Sequence, residues 1–519
     1  MKRPIRRILL VFPSMIYKRL QSRKTAIPPV GLAGMAAVLE DNYEVRILDS
    51  SLEGFSNEVD QPNGLSSYGL SDEAYLKAFS DYQPDVVGIS CLFSSLHTQA
   101  LRAARLAKLA DPNVITVMGG PHPSALPETM LADDAVDYVV IGEGERPFSA
   151  LLRCLETGTS PDNLPALASK RDGRVHVNRE LELLADLDQL PLPAWHLLDL
   201  ERYFNIGSVQ GLRMDGKQNK ALRIMQVTTS RGCPYACTYC GKYAVWGSRI
   251  RFLGADRVVE TIGALYDRYG TERIAFQDDN LTQNKPRALE LFDKLARQKW
   301  PITWEAHNGL ALSCLDEEVL DAMAASGCVS FTVAVESGSP EVLERIRKHV
   351  DLERAIELAE YARGIGLDIR AFYIIGFPGE TRAQIEATRE HLRRMRASVS
   401  ALAIYTPLPG SPLYDELAAQ GVLDTTTLDF ESLTFGAFDQ QLSEVSIPDL
   451  NRIRKIDWLM NVFADPLGNL KPDLAVDPRI VFKELAAGLE AYPDAAELRK
   501  LHAHALKMYT GPNLPAIEP

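Results

Sequence analysis

The chain is poor in what would take it to a membrane or tie it with disulfides. The longest apolar run near its start, Ile8–Phe12, is strand-length. It falls far short of the roughly 20 residues a spanning helix needs and is followed by no small-residue cleavage site, so neither a membrane span nor a signal peptide is read. Positive charge is in the minority: 56 Lys and Arg face 69 Asp and Glu, a formal net charge of −13. That argues against non-specific attachment to nucleic acid or an anionic membrane. Cysteine is scarce and odd in number, seven in 519 residues, with three inside the segment 233–240. This usage fits metal or redox chemistry in a reducing cytoplasm better than structural bridges. No Gly-x-Gly-x-x-Gly fingerprint, Walker lysine loop, internal repeat or low-complexity segment occurs.

What is present is regular alternation. Arg7–Phe12, Glu44–Leu48, Asp85–Ser90, Val114–Met118 and Tyr138–Ile141 read as buried strands, interleaved with helical patterns at Val30–Glu40, Leu96–Leu109 and Arg146–Leu155. Strands alternating with helices of this length predict an α/β, doubly wound parallel sheet whose ligands gather at the strands' carboxyl ends. Thr157–Leu200 reads as a polar, Pro-punctuated connector. A second alternating series then runs through Ile224–Ser230, Arg273–Gln277, Ile302–Ala306, Ser330–Val335, Asp368–Ile374 and Val399–Tyr405, which predicts a partial (β/α)6 barrel. The last stretch, about 442–509, is helical in pattern. The expected domains are 1–156, a linker over 157–215, the barrel at 216–425 and a helical C-terminal region from 426 to 519.

The strongest local signal is Arg231-Gly232-Cys233-Pro234-Tyr235-Ala236-Cys237-Thr238-Tyr239-Cys240, directly after the first barrel strand. Three thiolates on one tight loop can ligate three corners of a 4Fe–4S cubane and leave one iron open. Zinc is the competing reading, but it wants four ligands, usually from two short-spaced motifs. Cys314 and Cys328 form no such second motif, although His307 is a conceivable donor. Cys91, Cys154, Cys314 and Cys328 read as small buried hydrophobes.

Cys-x-x-x-Cys-x-x-Cys after a strand resembles the signature of the radical S-adenosylmethionine superfamily. The resemblance implies Cys233, Cys237 and Cys240 as cluster ligands and Tyr239 beside the adenine. It implies Gln277, Asp278 and Asp279 at the methionine amino group, Glu336 and Ser337 at the ribose, and Gly376 and Tyr405 on the adenine side. Over roughly residues 5–415 the chain is similar to the branch with an N-terminal cobalamin-binding domain of Rossmann-like fold. That implies a corrin site lined by Ser90, Leu92, Gly119, Gly120, His122, Gly142, Glu143, Gly144 and Glu145. The Asp-x-His-x-x-Gly motif that supplies a lower cobalt ligand elsewhere is absent, and His97 and His122 are read as structural. Asn308-Gly309-Leu310 stands where the family often has an arginine.

The activity implied is methyl transfer to an unactivated carbon of a small-molecule substrate. One S-adenosylmethionine would methylate cobalamin, a second would be reductively cleaved at the cluster, and the substrate radical would take the methyl group from cobalt. An external electron donor such as flavodoxin or ferredoxin is expected, with no nucleic-acid or membrane partner. The alternative keeps both cofactors but performs oxidation, cyclisation or ring rearrangement. A radical methylthiotransferase would need a second three-cysteine cluster, for which Cys91 and Cys154 are too few. A non-catalytic cobalamin sensor would not need the cysteine loop.

Overall fold

The computed structural model describes residues 4–17, 24–61, 64–206, 222–434, 438–464 and 478–509. The chain divides into two compact units that do not follow chain order. One comprises Met1–Ser208, Arg223–Thr271 and Thr406–Phe438; the other comprises Val209–Leu222, Glu272–Tyr405 and Asp439–Pro519.

In the first unit a seven-stranded sheet carries five parallel strands, Glu44–Asp49, Arg7–Phe12, Val86–Ser90, Ile115–Gly119 and Tyr138–Val140, side by side in that order. Numbered along the chain, this is the doubly wound order 2-1-3-4-5, with its topological switch beside the end of Val86–Ser90. Burial on both faces explains the near-continuous apolar runs. Ile8 and Leu10 pack with Ala36, Phe148 and Leu151 on one side. Leu9 and Val11 pack with Tyr75, Phe79 and Ala104 on the other. The expected α/β architecture is therefore observed.

The segment expected to be an irregular connector departs from that expectation. Leu167–Arg171 and Arg174–Asn178 form a hairpin that extends the sheet antiparallel to Tyr138–Val140. Asp172 and Gly173 both take positive φ, 46° and 72°. Asp-Gly is the turn pair that two-residue hairpins prefer, because their twist demands that conformation twice. Polar outward residues hid the strands, although Leu167 and Ala168 are buried.

In the second unit five parallel strands lie side by side in chain order: Arg273–Phe276, Thr303–Leu310, Cys328–Glu336, Asp368–Ile375 and Val399–Ile404. Helices Lys285–Gln298, Glu317–Ala325, Leu352–Gly364 and Arg382–Met395 connect them. Trp304 anchors the helix-facing side: its ring stacks on Phe292 at 5.2 Å and meets Phe276 edge-on at 5.3 Å. Helix Ile447–Phe463 joins the last strand through Asn461, whose side-chain carbonyl accepts from the Ser400 N–H at 2.9 Å. With Pro478–Ala491 and Ala496–Tyr509 it builds a separate apolar cluster around Leu459, Phe463, Leu485 and Leu501. Among the described residues no helix is long and apolar enough to cross a membrane.

Trp304→Ala should cost about 3–5 kcal/mol, since it removes a buried aromatic that the helix layer cannot close over. A urea titration followed by circular dichroism measures it. A loss under about 1 kcal/mol would show that this ring does not anchor the layer.

Candidate functional site

In the first unit the strand Ile224–Val227 leads into the cysteine loop. Ser230–Arg231 pairs antiparallel with Arg251–Phe252 and closes the loop at its base. Gly232 sits at φ 92°, and a Cβ there would run into the Arg249 carbonyl oxygen, so only glycine suits the turn. Cys237 is buried, and Cys233 and Cys240 are half-buried. The buried Lys242 donates from Nζ to the carbonyls of Cys233 and, at 3.2 Å, Gly247. The Leu413 N–H donates to the Thr238 carbonyl at 2.9 Å. The loop is thus shaped by backbone contacts while it presents three soft sulfur donors, a set suited to iron–sulfur ligation. Among the described residues no three His, Cys, Asp or Glu side chains converge as a single-ion site. Of the other cysteines, Cys91 and Cys328 are buried, which pushes their thiols up, and Cys154 and Cys314 are half-buried.

An ion-pair network supports the base of this loop. Glu143, fully buried, pairs with Arg251 and, at 3.4 Å, with Arg231, and it accepts from the Leu184 N–H at 3.0 Å. Glu145 pairs with Arg231 at 2.6 Å. Burial alone pushes the Glu145 carboxyl up, but the Arg231 guanidinium outweighs it and holds the group below the usual carboxylate range. Trp246 lies under the Arg231 guanidinium at 5.6 Å. Glu143 and Glu145 were expected beside the corrin; both carboxylates are engaged by arginines of the cysteine-loop ladder. Arg231, Arg251 and Lys242 brace the cysteine loop, a role that the residue pattern alone does not reveal. A charged residue each side of a cysteine motif signals them only weakly.

The remaining cobalamin-type positions gather at the sheet's carboxyl edge. Ser90 and Gly119 end adjacent strands. Leu92 and Phe93 are 42% and 52% exposed, unusual for large apolar side chains. Nothing lies within 4 Å of a Cβ built on Gly119, whereas one on Gly120 (φ 107°) would stand 2.9 Å from the Cys91 carbonyl. On Gly142 it would stand 2.9 Å from Leu181, and on Gly144 it would strike Met35. An apolar platform beside an open glycine at the switch point fits a large flat ligand. His122 is buried with both ring nitrogens occupied, Nδ1 by Ser94 Oγ at 3.0 Å and Nε2 by His97 Nδ1 at 2.8 Å. Phe430 packs on both rings, at 5.0 and 4.9 Å. Burial, and next the His97 ring, push His122 down to about 3, so it stays neutral.

In the second unit the other predicted residues stand at the carboxyl ends of neighbouring strands. Gln277 follows Arg273–Phe276; its backbone carbonyl accepts from Asn308 at 2.7 Å, and its buried Nε2 has no hydrogen-bond partner among the described residues. Asp278 is buried and Asp279 exposed. Glu336 ends its strand at φ 72°, a left-handed conformation that is costly for a non-glycine residue and that turns its side chain at the edge. Ser337 Oγ is directed to Thr388 Oγ1 at 3.1 Å and accepts from the Ser339 N–H. Gly376 (φ 85°) and Phe377 donate from their N–H groups to Glu380 Oε2 at 2.6 and 3.0 Å. Phe377 packs on Tyr405 at 5.1 Å between ring centres. The orphaned Gln277 amide and the paired aromatic rings at one sheet edge fit a ligand with a polar tail and a flat base.

Residues 227–392 match the radical SAM superfamily and residues 19–152 the B12 binding domain. A cytidylyl-2-hydroxyethylphosphonate methyltransferase of Streptomyces wedmorensis is 35% identical over 453 residues, 81% of this chain and 83% of that protein. An uncharacterised methyltransferase of Pyrococcus horikoshii is 32% identical over 422 residues, 81% of this chain and 85% of that protein. Among solved structures, the radical S-adenosylmethionine methyltransferase TsrM of Kitasatospora setae, with cobalamin and a [4Fe-4S] cluster bound, aligns with a TM-score of 0.64 at 19% identity. The alignment covers 80% of this chain and 78% of that one.

Two outcomes follow from this geometry. Glu143→Gln or Arg251→Met alone should destabilise by about 3–5 kcal/mol, because each strands a buried charge, and the double variant should recover part of that loss. Thermal unfolding of the three proteins measures it, and an additive double variant would mean the pair is not coupled. Burial raises the Glu380 carboxyl to about 7, against the pull of its two backbone donors. A carboxyl raised in the folded state contributes stability below its unfolded pKa, about 4.3, and loses it as pH rises through about 7. Unfolding midpoints should therefore fall across that window, and Glu380→Gln should flatten the fall.

Proposed function

The chain belongs to the radical S-adenosylmethionine superfamily, in its cobalamin-binding branch, and from that premise we propose that it transfers a methyl group to an unactivated carbon of a small-molecule substrate. The observation that carries this reading is the union, in one compact unit, of the cysteine loop with the cobalamin-type strand ends through Glu143, Glu145, Arg231 and Arg251. A methyl source and a radical source must meet at one carbon, and fixing their supports to each other supplies the positioning such a reaction needs. When bound, the cluster and cobalamin supply reductive cleavage of S-adenosylmethionine and a transferable methyl group.

The protein's own residues hold and orient. Cys233, Cys237 and Cys240 would hold the 4Fe–4S cluster, whose remaining coordination would serve the amino-acid end of S-adenosylmethionine. Gln277, Asp278 and Asp279 hold the amine. Glu336 meets the ribose, with the backbone of Ser337, whose hydroxyl is committed to Thr388. Gly376 lets the chain approach closely, and Tyr405, backed by Phe377, and Tyr239 border the base. Ser90, Leu92, Gly119 and Gly120 form the corrin-facing platform, with Gly142 and Gly144 beside the nucleotide tail. Glu143, Glu145 and His122 act from behind as positioning groups. An external one-electron donor of the flavodoxin or ferredoxin type completes the cycle.

Anaerobic protein given cobalamin, reductant, methyl-labelled S-adenosylmethionine and candidate substrates should yield 5′-deoxyadenosine together with a product heavier by one labelled methyl group. Alanine at any of the three loop cysteines should remove the cluster absorbance and both products. Formation of 5′-deoxyadenosine with a converted but unlabelled product would replace methyl transfer by oxidation, cyclisation or rearrangement.

A further inference from the structure

The five-stranded sheet of the second unit carries, on the face turned away from its helices, a polar cluster that the roles above leave unused. Side chains alternate along a strand. Trp304 faces the helices, so Glu305 and His307 of the same strand face the other way, His307 with Thr332 and Arg370 around one cavity. Strand register sets Glu305 beside Ser330, Thr332 beside Arg370, and Arg370 beside Val399. The cavity measures about 170 Å³ and is lined by His307, Thr332, Arg370, Phe372, Val399 and Ala401.

Charge accounting defines what it can take. The buried Glu305 is shared: Oε2 lies 3.6 Å from Arg273 Nη1 and Oε1 lies 2.6 Å from His307 Nε2. Arg370 Nη1 lies 3.1 Å from His307 Nδ1. Arginine only donates, so Nδ1 is the acceptor and the ring proton sits on Nε2, the nitrogen nearer Glu305, although Nε2 and Glu305 Oε1 approach without hydrogen-bond geometry. His307 is then a neutral bridge. Glu305 offsets Arg273, and among the described residues no carboxylate stands within ion-pair distance of Arg370. Arg370 Nε and the fully buried Thr332 Oγ1 have no hydrogen-bond partner among the described residues. A half-buried guanidinium with no carboxylate partner and a buried hydroxyl, facing one cavity with apolar walls on its other sides, are suited to an anion that completes both.

We propose that this cavity is a subsite for an oxyanion, a carboxylate or phosphoryl-type group, on the end of the substrate remote from the reacting carbon. Arg370 holds the anion by charge-assisted hydrogen bonds, Thr332 donates a second bond, and the Glu305–His307 pair orients the guanidinium. Thr332 precedes Glu336 by four residues on one strand, which separates the subsite from the strand-end cofactor positions by about 13 Å. The substrate is therefore extended, reaching from this subsite toward the strand ends. This inference rests on the reading of the strand ends as the S-adenosylmethionine site, but its test does not.

The test is anion-dependent thermal unfolding of the anaerobic holoenzyme, with inorganic phosphate and with acetate as probes, at constant ionic strength against chloride. A ligand that binds only the native state raises the midpoint saturably. The wild type should show such a rise with at least one probe; phosphate alone marks a phosphoryl-type group and acetate alone a carboxylate. Arg370→Met should weaken the response about tenfold or more, and the near-isosteric Thr332→Val should weaken it several-fold even where Arg370→Met folds poorly. No saturable rise in the wild type, or an unchanged one in Thr332→Val and Arg370→Met, overturns the proposal. S-adenosylmethionine cleavage by the wild type, measured alongside, separates the two readings. An enzyme that binds the anion but makes no 5′-deoxyadenosine keeps the subsite and loses the methyl-transfer chemistry.

Discussion

A carboxylate buried without water must find cations, and Glu143 finds two. Its pairing with Arg251 and Arg231 joins the loop after Tyr138–Val140 to the two-stranded ladder at the base of the cysteine loop. Much of the first unit's arrangement depends on this contact. Arg251 also donates to the Leu184 carbonyl at 2.7 Å, and the Leu184 N–H returns a bond to Glu143. The segment after the hairpin is thereby drawn into the same knot. Desolvation makes each of these charges expensive alone, so the group persists only as a whole. Its worth lies in orientation: the base of the cysteine loop and the segment after Tyr138–Val140 are tied together without a covalent link.

The second unit solves a different problem, presenting polar groups at the ends of strands whose bodies are buried. Parallel strands bring their carboxyl ends to one edge, and short irregular backbone there aims the side chains. Glu336 at φ 72° and Gly376 at φ 85° are two such places. Glu380 stabilises the second by collecting the N–H groups of Gly376 and Phe377, and burial leaves it short of solvent. Strain and orphaned atoms at these ends contrast with the well-paired helix caps elsewhere, such as the Thr381–Gln384 capping box. Local cost concentrated where a ligand can repay it is the expected signature of a binding edge.

Much of this was legible beforehand. Strands buried on both faces betray themselves as apolar runs, so Arg7–Phe12 was found to the residue, and the helix expected over Val30–Glu40 is observed at Val30–Leu39. Hairpin Leu167–Asn178 was not, since an edge strand buries too little to interrupt a polar composition; only its Asp-Gly turn spoke for it. The small sheet of Met15–Tyr17, Glu58–Asp60 and Ser66–Tyr68 has strands too short for any period to register.

The site divides along the same line. Three cysteines on one loop and the order of motifs at successive strand ends are properties of the chain, because their chemistry depends on residue type and local spacing. The sequence by itself therefore determined the family, the cofactors and the alternating architecture. Only the tertiary structure decided that Glu143 and Glu145 are spent on arginines 86 to 108 residues away in sequence, that His122 is saturated by Ser94 and His97, and that Arg370 is left with unbalanced charge. Each of those is a statement about which charges and lone pairs are satisfied. Satisfaction depends on distance between groups remote in the chain, which only folding sets.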